Sequence, residues 1–279
     1  MLSSRIERLF DESPAHYTDE DFELFREFKE ALNKGEIRAA EPDAAAKSGW
    51  RANPWVKKGI LLGFRMGTIV DMSIDAARQP FVDKSTYPVR SVTTADGVRI
   101  VPGGSSIRDG SYIGRGVICM PPMFVNVGAY VGEGTMIDSH ALVGSCAQVG
   151  RNCHISAGSQ IGGVLEPVGA LPVIIEDDVL VGGNSGIYEG TVVKCRAVLG
   201  TGTILNRSLP VYDLVRDAEH TASENEPLII PENAVVVPGS RAISSAAGKK
   251  YGLSLQAAVI VKYRDAKTDA RIQMEDLLR

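Results

Sequence analysis

Aliphatic or small apolar residues return at every sixth position through most of the chain after residue 100. An amphipathic helix repeats its apolar positions every three or four residues and a half-buried strand every two, so neither produces a period of six. The period is typical of a parallel β-helix of hexapeptide repeats, in which each hexad forms one side of a coil and points its first residue inward. Eleven consecutive hits disfavour the alternative, a β-sandwich with chance spacing. The first residues of the hexads are Val101, Ile107, Ile113, Cys119, Val125, Val131, Ile137, Val143, Val149, Ile155, Ile161, Ile175, Val181, Ile187, Val193, Leu199, Leu205, Ile230 and Val236.

A second inward position is predicted four residues after the first one in each hexad. This position is mostly small, as a close-packed interior requires beside a large aliphatic neighbour. Three sides per turn make a coil of about 18 residues, with strands stacked in parallel about 4.8 Å apart, and nineteen hexads make roughly six coils. The small residues are Ser105, Ser111, Ala129, Thr135, Ala141, Ala147, Cys153, Ser159, Thr191, Ala197 and Thr203.

Residues 1–98 lack the six-residue period and predict a small, mostly helical N-terminal domain. Thr18 is a good N-cap for a helix that carries apolar residues at helical spacing and ends near Gly35. A second helix is predicted from Pro54 onward, after Asn53. Residues 37–50, between the two helices, are interpreted as a small hairpin.

The β-helix is predicted over 99–241, with two loop excursions at 162–174 and 206–229. The first is rich in Gly and Pro and is a candidate for folding over a ligand. The second is polar and acidic and is interpreted as a solvated loop rather than a site.

Residues 242–279 form a C-terminal extension, with a strand predicted at Ala257–Tyr263 and a short amphipathic helix at Asp269–Leu278. The extension is locally basic. Two readings stay open, a solvated charged end and a landing site for the phosphates of a nucleotide-bearing cofactor. Its cationic residues are Lys249, Lys250, Lys262, Arg264 and Lys267.

Composition narrows the class of protein. The chain of 279 residues has 30 Lys and Arg against 34 Asp and Glu, a net charge of −4, which argues against a nucleic-acid or anionic-membrane partner. We find no apolar run long enough to cross a bilayer and no apolar segment of a signal peptide in the first ten residues. The four cysteines form no CxxC pair and are predicted to be buried free thiols in a reducing cytoplasm.

The flat walls of a β-helix leave no internal cleft, so a site is expected where two walls of neighbouring subunits meet, most simply in a trimer. Asp138 follows an inward residue directly, and His140 comes two residues later. Either of these residues, or His154, can serve as a general base. The alternative for Asp138 is a structural role, with its carboxylate bonding a turn amide.

No metal is expected. A catalytic zinc site in such a β-helix needs three protein ligands, and residues 99–240 hold only three histidines, one of them in the acidic excursion. A purely structural β-helix is disfavoured because the corners vary, one excursion is inserted and both ends carry extra segments.

Four segments of the chain resemble the tetrahydrodipicolinate N-succinyltransferases of bacterial diaminopimelate and lysine biosynthesis. The segments are VNVGAY at 125–130, EGTMID at 133–138, VGSCAQ at 143–148 and IGGVLEP at 161–167. The helix that contains WVKK at 55–58 and the strand AVIVK at 258–262 resemble the family as well, so the resemblance covers most of the chain from about residue 50 onward.

The resemblance implies a left-handed parallel β-helix and a cytoplasmic homotrimer. It also implies that a succinyl group passes from succinyl-CoA to the amine of the ring-opened cyclic dicarboxylate. By the same resemblance, Arg99 binds substrate and Asp138 binds substrate and acts in catalysis. The two roles fit chemically, because an arginine can hold a carboxylate with two parallel hydrogen bonds while an aspartate deprotonates the attacking amine.

Two departures from the family pattern stand out. Well-known members carry tryptophan at the position of His140 and glutamate at the position of Gly186, and here Glu189 is the nearest remaining carboxylate to Gly186. An extra residue lies near Pro121 and Pro122.

The acyl donor is expected beside Gly158, Gly163, Gly183 and Asn184, where small residues allow close approach and backbone N–H groups can stabilise an oxyanion. The loop at Leu165 and Glu166, from the neighbouring subunit, is expected to cover the site. Alternatives are an acetyl-CoA-dependent transferase on the same substrate or an amino sugar, and a non-catalytic scaffold.

Overall fold

The computed structural model describes residues 1–265. This part of the chain contains α1 (Leu2–Glu12), α2 (Asp19–Asn33), α3 (Pro54–Met66) and the short α4 (Ala246–Tyr251), with one turn of 3₁₀ helix at Thr94–Asp96. The helix predicted at Asp269–Leu278, and Lys267, lie outside the described residues.

The N-terminal helices form where the capping residues predict them. The Thr18 side chain accepts a hydrogen bond from the backbone N–H of Asp21, and the Asp21 carboxylate accepts one from the backbone N–H of Thr18, which caps α2. Gly35 follows α2 with φ +70°, and α3 begins at Pro54. Helix α1 was missed from the sequence, although its amphipathic residues bury Ile6 against the other helices.

Two hairpins accompany these helices. Strands β1 (Ala40–Pro42) and β2 (Trp50–Ala52) pair antiparallel, which confirms the predicted hairpin a few residues further along the chain. Strands β3 (Ile69–Asp71) and β4 (Val82–Lys84) form a second antiparallel pair.

The hexads fold into the predicted parallel β-helix with three walls, so the mainly β fold class is confirmed. Wall 1 has ten strands and walls 2 and 3 have six each, which agrees with roughly six coils. The handedness of the coil stays a prediction. Wall 1 contains β5 (Arg99–Ile100), β8 (Ile118–Cys119), β11 (Met136–Ile137), β14 (His154–Ile155), β17 (Leu180–Val181), β20 (Val198–Leu199), β22 (Val211–Asp213), β23 (Ala218–His220), β25 (Ala234–Ala242) and β26 (Ser254–Tyr263). Wall 2 contains β6 (Ser106–Ile107), β9 (Phe124–Val125), β12 (Leu142–Val143), β15 (Gln160–Ile161), β18 (Gly186–Ile187) and β21 (Ile204–Leu205). Wall 3 contains β7 (Tyr112–Ile113), β10 (Tyr130–Val131), β13 (Gln148–Val149), β16 (Ile174–Ile175), β19 (Val192–Val193) and β24 (Ile229–Ile230).

The inward residues form one continuous core. From Ile107 onward, every predicted first residue of a hexad is buried, and every predicted small residue except Ser105 is buried as well. The start of the series was wrong by one residue. Ile100, not Val101, pairs with Cys119 in the next coil, so the first interval is seven residues long.

Both excursions leave the coil at the edge between walls 2 and 3. The first connects β15 to β16, and the second connects β21 to β24. The second is more ordered than the solvated loop that we expected. Its strands β22 and β23 pair antiparallel and join wall 1 beside β26, and Val211 and Leu228 enter the core.

The N-terminal helices pack directly on the β-helix, because Val127 and Cys146 belong to the same hydrophobic cluster as Val56 and Ile60. Leu165 packs against this cluster too. The base of the first excursion therefore rests on its own chain, and the expected contact of Leu165 with a neighbouring subunit stays a prediction. The boundaries at 98 and 241 stay predictions.

Lys57 ties the helical part to the first excursion. Its side chain is 0% exposed, and its Nζ donates a hydrogen bond of 2.6 Å to the carbonyl oxygen of Ala170. Burial lowers the pKa of the Lys57 ammonium. The bond spans 113 positions of sequence, so it connects α3 with the tip of the excursion.

Three of the four cysteines are buried free thiols, as predicted, and Cys195 is half-buried. Burial raises the pKa of Cys119, Cys146 and Cys153 to about 12. Burial, with a hydrogen bond to Glu176, raises the pKa of Cys195 to about 11. These thiols are poor nucleophiles near neutral pH.

The edge between walls 1 and 2 stacks four residues with left-handed backbone conformation. They are His140 (φ +62°), Gly158 (φ +70°), Asn184 (φ +56°) and Gly202 (φ +77°). The backbone N–H of each donates to a carbonyl of the preceding coil at 2.5–2.9 Å. A Cβ on Gly158 would lie 2.5 Å from the Asn184 Oδ1, so the corner has no room for a larger residue there.

Replacing Lys57 with methionine is expected to release the first excursion without unfolding the core, because the aliphatic stem still packs while the ammonium bond is lost. Such a bond stabilises by roughly 1.5–3 kcal/mol, so amides in 162–174 should exchange hydrogen at least about 10-fold faster. Hydrogen–deuterium exchange by mass spectrometry measures this. Lys58→Met on the same helix is the control, since Lys58 pairs with the exposed Asp11. Equal exchange in both variants would contradict the anchoring role.

Replacing Gly158 with alanine is expected to destabilise the protein by about 1–2 kcal/mol, since a left-handed residue gains a Cβ, and to lower Tm by a few degrees. Gly183→Ala is the control from the same edge. Gly183 lacks a left-handed φ, and its added Cβ would meet only the Ala157 carbonyl oxygen, at 3.1 Å. Thermal unfolding followed by circular dichroism should separate the two variants, and equal Tm values would contradict the strain argument.

Candidate functional site

Asp138 lies at the edge between walls 1 and 2, directly after β11. Its Oδ1 accepts a hydrogen bond of 2.7 Å from the backbone N–H of Ser139, which is the turn role considered from the sequence. Its Oδ2 lies 3.8 Å from the His154 Nε2. The Asp138 side chain is 31% exposed. One oxygen therefore holds the corner, while the other lies near His154.

The structure brings His154, rather than His140, to Asp138. His154 begins β14 and pairs with Met136 of β11, which places it one coil further along wall 1. Its side chain is 16% exposed. His140 is exposed and holds the left-handed corner position, where its backbone N–H donates to the carbonyl oxygen of Pro122. Of the three residues considered as a general base, Asp138 and His154 therefore lie together and His140 lies apart.

Arg99 lies on the same wall as this pair. It is exposed in β5 and pairs with Ile118, which pairs with Met136. At about 4.8 Å between strands, Arg99 lies about 10 Å below Met136 along the stack. Arg99 and Asp138 thus lie on the same surface but do not contact each other. A ligand whose carboxylate and amine are well separated can contact both residues.

Three of the four predicted acyl-donor residues share the edge of Asp138. Gly158, Gly183 and Asn184 lie between β14 and β18 at the corners of the next two coils. The N–H groups of Gly158 and Asn184 donate to Ser139 and Ala157 in the preceding coil. Our expectation that backbone amides stabilise an oxyanion is therefore wrong for these two residues.

Gly163 lies elsewhere. It follows β15 at the edge between walls 2 and 3, and an added Cβ there would come within 2.6 Å of the Ser145 backbone nitrogen. Wall 2 separates Gly163 from the other three residues. The four residues predicted to contact the donor therefore lie on two different edges of wall 2 and do not form a single cluster.

A groove of about 1330 Å³ opens at the edge of Gly163. Three elements surround it, namely the loop between β1 and β2, the first excursion, and the second excursion around residues 224–227. Sequence reasoning predicted the hairpin but gave no signal that its loop would reach this edge. The groove residues used below are Lys47, Trp50, Leu142, Gly162, Val164, Glu166, Leu171, Tyr188, Glu189, Arg207, Glu224 and Glu226.

The Tyr188 ring fills the space that a side chain at position 186 would occupy. An added Cβ at Gly186 would lie 2.5 and 2.8 Å from two ring carbons of Tyr188 and 2.7 Å from its hydroxyl oxygen. Glu189 follows at the groove edge, and its Oε2 accepts a hydrogen bond of 2.9 Å from the backbone N–H of Arg207. The remaining carboxylate thus braces the second excursion and does not lie at the corner of Asp138. Tyr188 was not predicted from the sequence. A usable signal was the glycine at position 186, an outward strand position two residues earlier that leaves room for a neighbouring side chain.

Within residues 1–265 we find no group of three or more His, Cys, Asp or Glu side chains placed to hold a metal ion. The same residues contain no helix that is long and apolar enough to span a bilayer.

Comparison with known families matches three parts of the chain. Residues 1–66 match the tetrahydrodipicolinate N-succinyltransferase N-terminal model. Residues 128–163 match the bacterial transferase hexapeptide model of six repeats, and residues 172–207 match the hexapeptide repeat of succinyl-transferase. The helical segment and the coils thus point to the same group of enzymes.

Similar proteins cover nearly the whole chain. A 2,3,4,5-tetrahydropyridine-2,6-dicarboxylate N-succinyltransferase of Polynucleobacter asymbioticus is 45% identical over 90% of this chain and 86% of its own length. Proteins of the same name from Xylella fastidiosa and Alteromonas mediterranea are 43% and 40% identical, over 90% and 96% of this chain and 86% and 92% of their own lengths. The chain belongs to the tetrahydrodipicolinate N-succinyltransferase family.

Proposed function

We propose that this protein transfers a succinyl group from succinyl-CoA to the amine of ring-opened tetrahydrodipicolinate, a step of cytoplasmic lysine and diaminopimelate biosynthesis. One observation carries the proposal. A relative named for this reaction is 45% identical over 90% of the chain.

The proposed chemistry begins with the acceptor. Arg99 holds one carboxylate of the acceptor by two parallel hydrogen bonds, and Asp138 Oδ2 takes a proton from its ammonium group. The free amine attacks the thioester carbonyl, the tetrahedral intermediate collapses, and the C–S bond breaks. The attacking nitrogen gives up its second proton, the departing CoA thiolate takes up that proton, and the product is an amide. His154 beside Asp138 can accept the proton that Asp138 has taken.

The donor is proposed to lie along the edge of Gly158, Gly183 and Asn184 and across wall 2 toward Gly163. Support comes from the missing or short side chains at these positions, which let a chain-like ligand approach the backbone. No covalent intermediate is required, because the amine reaches the thioester directly.

We place the site between subunits of a homotrimer. The walls are flat, and Arg99 and Asp138 lie on an outer surface of one chain rather than in a cleft. A neighbouring wall would supply the missing side of the site and exclude water from the thioester. A closed ring of three is the simplest assembly that gives each site this environment.

The reaction is tested by thiol release with purified protein, tetrahydrodipicolinate and either succinyl-CoA or acetyl-CoA. We expect succinyl-CoA to give a kcat/KM at least about 100-fold higher, since a site built for a carboxylate leaves its polar groups unpaired with an acetyl group. Equal or higher kcat/KM with acetyl-CoA would make the protein an acetyltransferase. Lack of turnover with every donor and amine would favour a scaffold.

Replacing Asp138 with asparagine is expected to lower kcat at least about 100-fold, because the amide cannot accept the proton of the amine. The Oδ1 contact with Ser139 can persist in this variant, so the corner should stay folded. Asp178→Asn is a matched control, since Asp178 is an exposed corner aspartate with φ +59° on a different edge. Near-normal kcat in a folded Asp138→Asn protein would remove Asp138 from this role.

A further inference from the structure

Tyr188 is held against wall 2 by two glycines. The ring lies over Gly186, where an added Cβ would approach the Tyr188 hydroxyl oxygen to 2.7 Å. An added Cβ on Gly162, in the coil below, would lie 2.8 Å from the ring as well. Any side chain at either position would displace the ring, so this pair of glycines fixes where the phenol lies.

The Tyr188 hydroxyl is available to a ligand. Tyr188 lines the groove, and its hydroxyl makes no hydrogen bond within residues 1–265, whereas its backbone is fully engaged with Leu205 and Thr191. A fixed phenol can both donate and accept one hydrogen bond without first being ordered. It also stands beside the strand position where well-known family members carry a charged glutamate.

The charges around the groove disfavour the anionic groups of both substrates. Lys47 and Arg207 face four carboxylates, those of Glu166, Glu189, Glu224 and Glu226. The Arg207 guanidinium is already used, donating to the carbonyl oxygens of residues 223 and 224. Like charges repel strongly in a partly enclosed groove, so the dicarboxylate acceptor is disfavoured here, and so are the phosphates and the succinyl carboxylate of the donor. Only a neutral part of a substrate avoids this repulsion.

A neutral chain with amide groups fits the groove better. Apolar side chains line it together with the polar ones, including those of Trp50, Leu142, Val164 and Leu171. The pantetheine arm of CoA is a neutral chain of this kind, with two secondary amides and a branched hydrocarbon segment. Gly163, predicted to contact the donor, lines the same groove.

We propose that Tyr188 is a specificity-determining residue whose hydroxyl hydrogen-bonds an amide of the pantetheine arm of the acyl donor in this groove. The proposal rests on the proposed function, since that function supplies the CoA thioester. In this chain the Gly186–Tyr188 pair replaces a charged side chain on wall 2 with a neutral hydroxyl.

The first experiment compares Tyr188→Phe with the unmodified enzyme in steady-state kinetics. The ring keeps its seat and only the hydroxyl is lost, so we expect KM for succinyl-CoA to rise about 5-fold to 10-fold. The kcat and the KM for the acceptor should stay within about 2-fold. Tyr112→Phe is the control, because Tyr112 is a partly buried tyrosine on wall 3 that stacks on Tyr130. An unchanged KM for succinyl-CoA, or a rise in the KM of the acceptor instead, would overturn the assignment.

Two further measurements separate the hydroxyl from a general packing effect. Gly186→Ala pushes the ring from its seat and should also raise KM for succinyl-CoA, while a short succinyl thioester without amides should show equal KM with unmodified enzyme and Tyr188→Phe. If Tyr188→Phe raised KM for the short thioester as much as it raised KM for succinyl-CoA, the result would contradict an amide contact.

Calorimetric titration of CoA alone distinguishes failure of this inference from failure of the proposed function. Weaker CoA binding by Tyr188→Phe supports the contact even if the unmodified protein does not turn over, in which case only the proposed reaction fails. Turnover of succinyl-CoA together with equal CoA affinity in both proteins would leave the reaction standing and remove Tyr188 from the donor site.

Discussion

Burial of one aliphatic side chain per hexad is the interaction on which the rest of this structure depends. Each side chain such as Val131, Ile137 or Val143 is completely buried, and burying a residue of this size stabilises by about 1.5–3 kcal/mol. The core is only one coil wide, so each hexad must supply its own share. The loss of packing at a polar or poorly fitting inward residue cannot be compensated by a residue in a distant coil. The six-residue period is therefore the strongest signal in the sequence.

Because the interior is filled, polar chemistry is confined to the outer surfaces and edges. The edge between walls 1 and 2 carries Asp138 and the left-handed corner residues, while the edge between walls 2 and 3 carries both excursions and the groove. Stacking fixes these positions rigidly, since each corner N–H is bonded to the coil before it. The rigid edges suit the positioning of two substrates, but they leave few backbone N–H groups to act on a developing charge.

The period and the corner of Asp138 could be predicted because both follow from local sequence. The contact of Asp138 with His154 could not, because it depends on which residues of successive coils stack, and one-residue shifts such as Ile100 for Val101 alter the count. Leu165 and Tyr188 were harder still. The position of Leu165 depends on the packing of α3, and that of Tyr188 depends on two glycines in different coils. Such contacts join residues that are distant in sequence, so no pattern along the chain predicts them.

The placement of both excursions on one edge has a consequence for how this chain can change. Strands β15 and β16 continue their stacks with β12 and β13 although a long segment separates them. The segment can therefore lengthen or shorten while every following hexad keeps its phase, since the register is restored by pairing with the coil below rather than by counting residues. Variation in loop length is thereby uncoupled from the scaffold, and a groove bounded by such loops can be remodelled for a different ligand while the core stays the same.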